Sequence, residues 1–375
     1  MSRFCIQLPP KFAASCLMGL LYNLDQTYNL TNYGDRVEIS GPDPHLALQD
    51  VLTTARQKIE DRSRSLNSVP PRIPASGNDR RVLRELWQAY GLGANATIID
   101  FINVVNENID SETVGQHPLP SILKPEFYEF NRLPGYMGES SRLMRNRFPA
   151  LSISLSLIGY IICRVGSAQL DRDFWVSVVL TPELQSFREP YAIDPSYRLS
   201  TFINPMRRLD DYLSRRRYNL AGLFPETALH LWLATHMGGA KINLYALKEP
   251  KGQNPATIYS SMKIDLEPIH RSLMQYGLQE QRDTLIKILE NALRAGEKSA
   301  AKHISIRFSI LLYEVLTGMK PFEEFVYTAT REYLSWNQSQ PSKDDHAFKS
   351  YQVSRWAAYL ARHLARIVSG GTFTV

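Results

Sequence analysis

FPALSISLSLIGYIICRVGSAQLDRDFWVSVVLT, residues 148–181, is the stretch on which the fold turns. From Phe148 to Cys163 it carries no charge. This run falls short of the roughly 20 apolar residues that a bilayer-crossing helix needs. Within it Ile153, Leu155 and Leu157 are separated by Ser152, Ser154 and Ser156. That period of two predicts a strand over Leu151–Val165. Phe174–Thr181 reads as a second strand, rich in aromatic and β-branched residues. The polar segment Gly166–Asp173 (GSAQLDRD) lies between them, which predicts an antiparallel hairpin with a polar tip.

Upstream, a short strand at Phe4–Leu8 precedes a helix with Phe12, Ala13, Cys16, Leu17, Leu20, Leu21 and Leu24 on one side. Arg36–Ser40 alternates as another strand. Gly41-Pro42-Asp43-Pro44 then breaks the chain before a long helix to about Leu66. Residues 67–78 are rich in Pro and Ser and read as a linker or surface loop. Helices are predicted at Asp79–Tyr90 and Thr97–Asn108, and residues 110–150 are irregular and proline-containing. Downstream of Thr181, residues 182–204 are irregular, helices fall near Pro205–Tyr218 and Glu226–Met237, and Lys241–Leu247 and Ala256–Ile264 form a second strand pair. From Glu267 to Val368 no strand pattern remains. Four helices are expected over about 267–295, 299–317, 321–336 and 344–368, with Gly296, Gly318, Pro321 and Pro341 at the joints. The expected fold is α+β. A mixed N-terminal α/β part with antiparallel hairpins (1–265) is followed by an all-helical C-terminal four-helix bundle (266–375).

The 375 residues suit two or three domains, and 44% hydrophobic content is enough for a real core. The net charge is +6, and arginine outnumbers lysine more than two to one. Arginine is the side chain of planar phosphate recognition and of stacking on rings. Nineteen Tyr and five Trp accompany it. Cys5, Cys16 and Cys163 lack the spacing of a disulfide framework or a zinc site. No targeting segment is expected, and the protein reads as soluble and cytoplasmic.

The common catalytic signatures are absent: no GxxxxGK[ST], no GxGxxG after a strand, no HExxH and no GxSxG. His230 and His236 are six apart, which does not place two ligands on one helical turn. The carboxylate pairs Asp210-Asp211, Glu323-Glu324 and Asp344-Asp345 are sequence neighbours and face different sides of a helix. No cofactor, metal or catalytic residue is therefore expected.

Basic clusters carry the functional reading. The sharpest is Arg207, Arg208, Arg215, Arg216 and Arg217. A second is Arg80, Arg81 and Arg84 beside Trp87 and Tyr90, where arginine and aromatic rings at helical spacing suit a phosphate and a stacked base. A third is the Gly-containing loop with Arg132, Arg142, Arg145 and Arg147. In the helical part, Lys298 and Lys302 form one stripe with Lys287 and Arg294. Arg355 and Arg362 form another with Arg366, interleaved with Trp356 and Tyr359. At the hairpin tip, Gln169 and Arg172 are side-chain types that read base edges. The bland alternatives are a solvated face for the helical clusters, a core role for Trp87 and a plain polar turn for the hairpin tip.

Val37–Leu66, Arg80–Tyr90 (RRVLRELWQAY) and Leu223–Met237 (LFPETALHLWLATHM), with the helical C-terminal part, give the chain a family resemblance. It resembles the large subunit of a type I CRISPR surveillance complex (Cascade), in its compact, subtype I-A form, with a transposon-associated system as the variant. The resemblance implies a non-catalytic subunit of an RNA-guided complex. It implies a place at the guide RNA 5′ end, against the subunit that grips that end, with the backbone subunit and small subunits as neighbours. It further implies reading of the protospacer-adjacent motif, support of the opened target DNA, and recruitment of a nuclease-helicase or transposition factors. Protein then reads the motif and pairing reads the sequence. An internal start at Met262 or Met274 would yield a separate small subunit. Two other readings stay open: a scaffold without a nucleic-acid role, and an enzyme with a dispersed active site.

Overall fold

The computed structural model describes residues 2–65, 72–93, 95–109, 114–126, 147–171, 174–183, 191–193, 226–293, 299–339 and 346–369. The architecture is α+β and comprises two compact units. One holds Met1–Asp210 and Ile242–Lys263. The other holds Asp211–Lys241 and Ile264–Val375.

The first unit begins with β1 (Ser2–Gln7), α1 (Lys11–Leu21), β2 (Asn29–Asn32), β3 (Arg36–Gly41) and α2 (Pro44–Ser65). It continues with α3 (Gly77–Ala89), α4 (Ile98–Glu107), β4 (Gln116–Pro118), β5 (Arg147–Pro149) and α5 (Ala150–Cys163). Then come β6 (Arg164–Asp171), β7 (Phe174–Pro182) and β8 (Tyr191–Ile193). One four-stranded sheet has the order β1-β3-β2-β8, with antiparallel pairs such as Phe4 opposite Ile39 and Leu30 opposite Ile193. A second brings in two strands from further along the chain, β9 (Lys241–Lys248) and β10 (Thr257–Asp265), in the order β10-β9-β7-β6.

The strand expected at Leu151–Val165 is a helix. Its alternating serines are not a solvent face: Ser152, Ser154 and Ser156 are all buried. Two of them satisfy their hydroxyls within the helix, Ser154 donating to the Ala150 carbonyl (2.7 Å) and Ser156 to that of Ser152 (2.8 Å). Once serine bonds back to residue i−4, an alternating pattern is compatible with a helix buried on every side. α1, buried along nearly its whole length, packs against α5. Their approach is so close that a Cβ on Gly159 would stand 2.1 Å from the Cys16 carbonyl oxygen. Only glycine lets two backbones meet there. A hairpin does form on Phe174–Pro182, but its first strand is Arg164–Asp171, most of the stretch expected to be the polar tip.

Two capping boxes fix the helices that matter for function. Ser76 caps α3, and Asp79 returns the bond to the Ser76 N–H (3.0 Å). Thr97 caps α4 in the same way through Asp100 (2.8 Å). Each motif satisfies backbone donors that the first turn leaves orphaned. Asp79 is buried and also accepts from the Ser121 N–H (2.6 Å) and hydroxyl (2.5 Å). The Ser121 hydroxyl oxygen accepts from the Ala256 N–H (3.2 Å), tying α3 to the start of β10.

The second unit contains α6 (Glu226–Met237), α7 (Glu267–Gln275), α8 (Arg282–Leu293), α9 (Ala300–Leu316), α10 (Phe322–Ser339) and α11 (His346–Val368). The single helix expected over 267–295 is two helices. Gly277 takes φ +60°, where α7 stops, and its carbonyl accepts from His363 Nε2 (3.0 Å). Gly318, at φ +76°, ends α9 at the predicted joint. α6 joins this unit by packing on α7, α8 and α9, with Trp232 fully buried.

Candidate nucleic-acid interface

Arg80 and Arg84 are four residues apart on α3 and exposed, so they share one face. With Arg72 they line a cavity of about 790 Å³ in the first unit. Its wall also includes Ile73, Leu83, Trp87 and Leu92, the turn residue Asn95, and the start of α4 at Thr97 and Ile98. The volume lies within the usual range of about 300–1,000 Å³ for ligand sites. Trp87 is half-buried, and its ring lies 5.9 Å from that of Phe101. Its indole N–H is buried and has no hydrogen-bond partner among the described residues.

The electrostatics follow from where the acids went. Asp79, on the first turn of α3, is spent on Ser76 and Ser121. Asp100, on the first turn of α4, is spent on Thr97, whose backbone and hydroxyl bonds hold its carboxyl below the ordinary range. Glu85 sits 3.9 Å from Arg81, outside the cavity lining. Among the described residues Arg72, Arg80 and Arg84 make no ion pair. The contrast with α2 is direct: Arg56 and Arg64 both pair with Glu60, at 3.0 and 3.4 Å.

The second unit carries a different basic surface. Val353, Ala357, Leu360, Ala361 and Leu364 of α11 are buried, while Arg355, Tyr359, Arg362 and Arg366 are exposed. The four exposed residues recur at helical spacing on one face. Among the described residues these three arginines form no ion pair. Lys287 of α8 lies 5.9 Å from the Trp356 ring centre, a cation–π contact. Some other cations of the unit are paired: Arg307 with Glu332, and Lys320 with Glu314 and Glu324.

The structure therefore brings Arg80 and Arg84 together and leaves Arg81 outside the cavity lining. It adds Arg72, which sequence reasoning missed. Arg72 lies inside the Pro-rich segment between Pro71 and Pro74, where no helical spacing ties it to Arg80 and Arg84. Arg147 is exposed at the start of β5. Gln169 lies in strand β6 opposite Trp175 and not at the hairpin tip, because the strand continues to Asp171. Lys302 is half-buried and already partnered. Arg132, Arg142, Arg145, Arg172, Arg207, Arg208, Arg215, Arg216, Arg217 and Lys298 lie outside the described residues.

Buried titratable groups belong to the packing. Burial drives the thiols of Cys16 and Cys163 well up and pushes the Tyr160 hydroxyl to about 12. Tyr160 donates to Ser177 (3.1 Å), Ser177 to Glu249, and Glu249 accepts from Arg164 (2.8 Å). His236 stacks on Trp232 with its Nδ1 2.8 Å from the Trp232 carbonyl oxygen, and His230 lies near Tyr313. Among the described residues no three His, Cys, Asp or Glu side chains cluster as metal ligands, and no helix is long and apolar enough to cross a membrane.

A family model described as CRISPR-associated protein, CsaX, matches residues 37–333. The chain belongs to this CRISPR-associated family. The matched span takes in α3, α4 and the arginine-lined cavity, and it ends within α10. No curated protein matches the chain. As a CRISPR-associated protein it works within a system built on RNA and partner proteins.

Proposed function

We propose that this CsaX-family chain is the non-catalytic, DNA-binding large subunit of an RNA-guided type I CRISPR effector complex. In that role it reads the protospacer-adjacent motif and stabilises the opened target DNA. Its neighbours would be the guide RNA, the guide 5′-end subunit, the backbone subunit and the small subunits, with a nuclease-helicase or transposition factors recruited to the assembly. The observation that carries the reading is the cavity of the first unit, whose ionisable lining among the described residues is Arg72, Arg80 and Arg84. Cations left without counter-ions on a folded surface favour a polyanion. The α11 face of the second unit adds a row of cations interleaved with Tyr359, a pattern suited to a single strand. Tyr327 and Leu334, exposed and seven residues apart on α10, offer an apolar strip of the kind that neighbouring protein subunits cover.

The test is binding of labelled duplex and single-stranded DNA by the purified chain across a salt series. Binding that weakens steeply with salt, and weakens further in the Arg80→Gln/Arg84→Gln variant, is the expected result. No binding even at low salt would sink the nucleic-acid reading and leave a scaffold role.

A further inference from the structure

The cavity beside α3 has more than charge. A surface that only follows phosphates needs cations in a row, as on α11. Here the cations rim a concavity whose remaining wall is largely apolar and includes an indole. Ile73, Leu83 and Leu92 gain nothing from a phosphate, and Trp87, half-buried, brings an aromatic ring. A nucleotide out of the stack matches these features. Its phosphate is an anion for the guanidinium groups, and its base is a flat apolar body for the wall and the ring.

We propose that this cavity is a binding site for a single unstacked nucleotide of a nucleic-acid strand. Arg80 and Arg84 hold the phosphate from one helical face, Arg72 closes on it from the segment before α3, and the base rests against Trp87. The inference builds on the nucleic-acid reading above and makes a narrower claim. A paired duplex keeps its bases stacked inside and presents phosphates to a surface. A cavity with an apolar wall is useful only once a base has left the stack, at a strand end or an opened site. The site therefore acts on opened and not on paired nucleic acid.

The experiment uses the full chain and short single strands carrying one 5-iodouracil, in DNA and RNA versions, cross-linked by light and mapped by peptide mass spectrometry. The expected product joins the iodouracil to the peptide containing Trp87. Its yield should fall about tenfold or more in Arg80→Gln/Arg84→Gln, since the pair supplies the charge-assisted bonds to the phosphate. Both side chains are exposed and without ion pairs, so the melting temperature of this variant should stay at the wild-type value. Trp87→Phe, which keeps a ring, should retain strand binding. Comparison of the DNA and RNA versions names the strand that is held. Thymidine 5′-monophosphate and inorganic phosphate serve as competitors. If either displaces the strand at equal concentration, the ligand is a free anion and the proposal falls. Strand binding with cross-links only elsewhere, such as on the α11 peptide, overturns the nucleotide site and leaves the broader function standing. Absence of any strand binding overturns both.

Discussion

The first unit gathers arginines around a concavity, whereas the second sets them in a row. Arg72, Arg80 and Arg84 converge from a segment and a helix on walls that include Trp87. Arg355, Arg362 and Arg366 follow one exposed face of a single helix. The chemistry of the side chains is the same, but the use that each geometry allows differs. A row tracks a phosphate backbone and gives salt-dependent, sequence-tolerant affinity. A concavity with an apolar wall can add contact with a base. The comparison also shows how each surface stays free. In the first unit the nearby acids are withdrawn into capping boxes. In the second they pair with other cations, such as Arg307 and Lys320.

The comparison can be broken most severely at Gly159. A Gly159→Val change puts side-chain atoms into the α1 backbone and should abolish folding of the first unit, seen as loss of its thermal transition by circular dichroism. Overpacking typically costs about 1–3 kcal/mol, and a backbone clash exceeds that. Next in size is Asp79→Ala. It leaves the Ser76 and Ser121 amides without their acceptor and should destabilise the first unit by roughly 3 kcal/mol in a denaturant melt. The Arg80→Gln/Arg84→Gln change should weaken single-strand binding about tenfold at low salt with no change in stability. Replacing Arg355, Arg362 and Arg366 with Gln should act more gently. The log–log salt slope should fall by about 0.7 for each phosphate that is no longer neutralised, with a modest decrease in affinity. If the two arginine sets prove interchangeable in these assays, the distinction between row and concavity fails.

The smallest perturbation requires no mutation. All three cysteines lie in the first unit. Cys5 is exposed, whereas burial holds the thiols of Cys16 and Cys163 protonated and inaccessible. Native protein should therefore label at Cys5 alone. Reaction of the other two should report opening of the first unit separately from the second. The same division bears on the internal start. A fragment beginning at Met262 or Met274 lacks α6 and the buried Trp232 that packs on α7, α8 and α9, so made alone it should bind hydrophobic dyes.

Much of the fold was legible because local signals agreed with the final packing. The α1 apolar stripe, the helices α3 and α4, β3, β7 and the strand pair β9 and β10 all fall close to where periodicity and turn chemistry place them. The strand over Leu151–Val165 failed for a physical reason. Alternating Ser and Leu reports a half-buried strand only when water covers the serine face, and here other helices do. Half of the site was equally legible: Arg80, Arg84 and Trp87 share helical spacing in one short segment. Arg72 was not, because it lies in an irregular segment before α3, and the apolar wall was not, because residues at the start of α4 meet α3 only after the chain has turned.

By itself, the sequence determined the α+β class, the approximate ends of α3 and α4, the arginine excess and the membership in a CRISPR-associated family, all properties of residue type and near-neighbour spacing. Tertiary structure alone decided three further things. It made a buried helix of an alternating run, it chose which arginines keep their charge unpaired, and it closed a cavity between α3 and the start of α4. Each depends on what lies across from a residue, and spacing along the chain does not encode that.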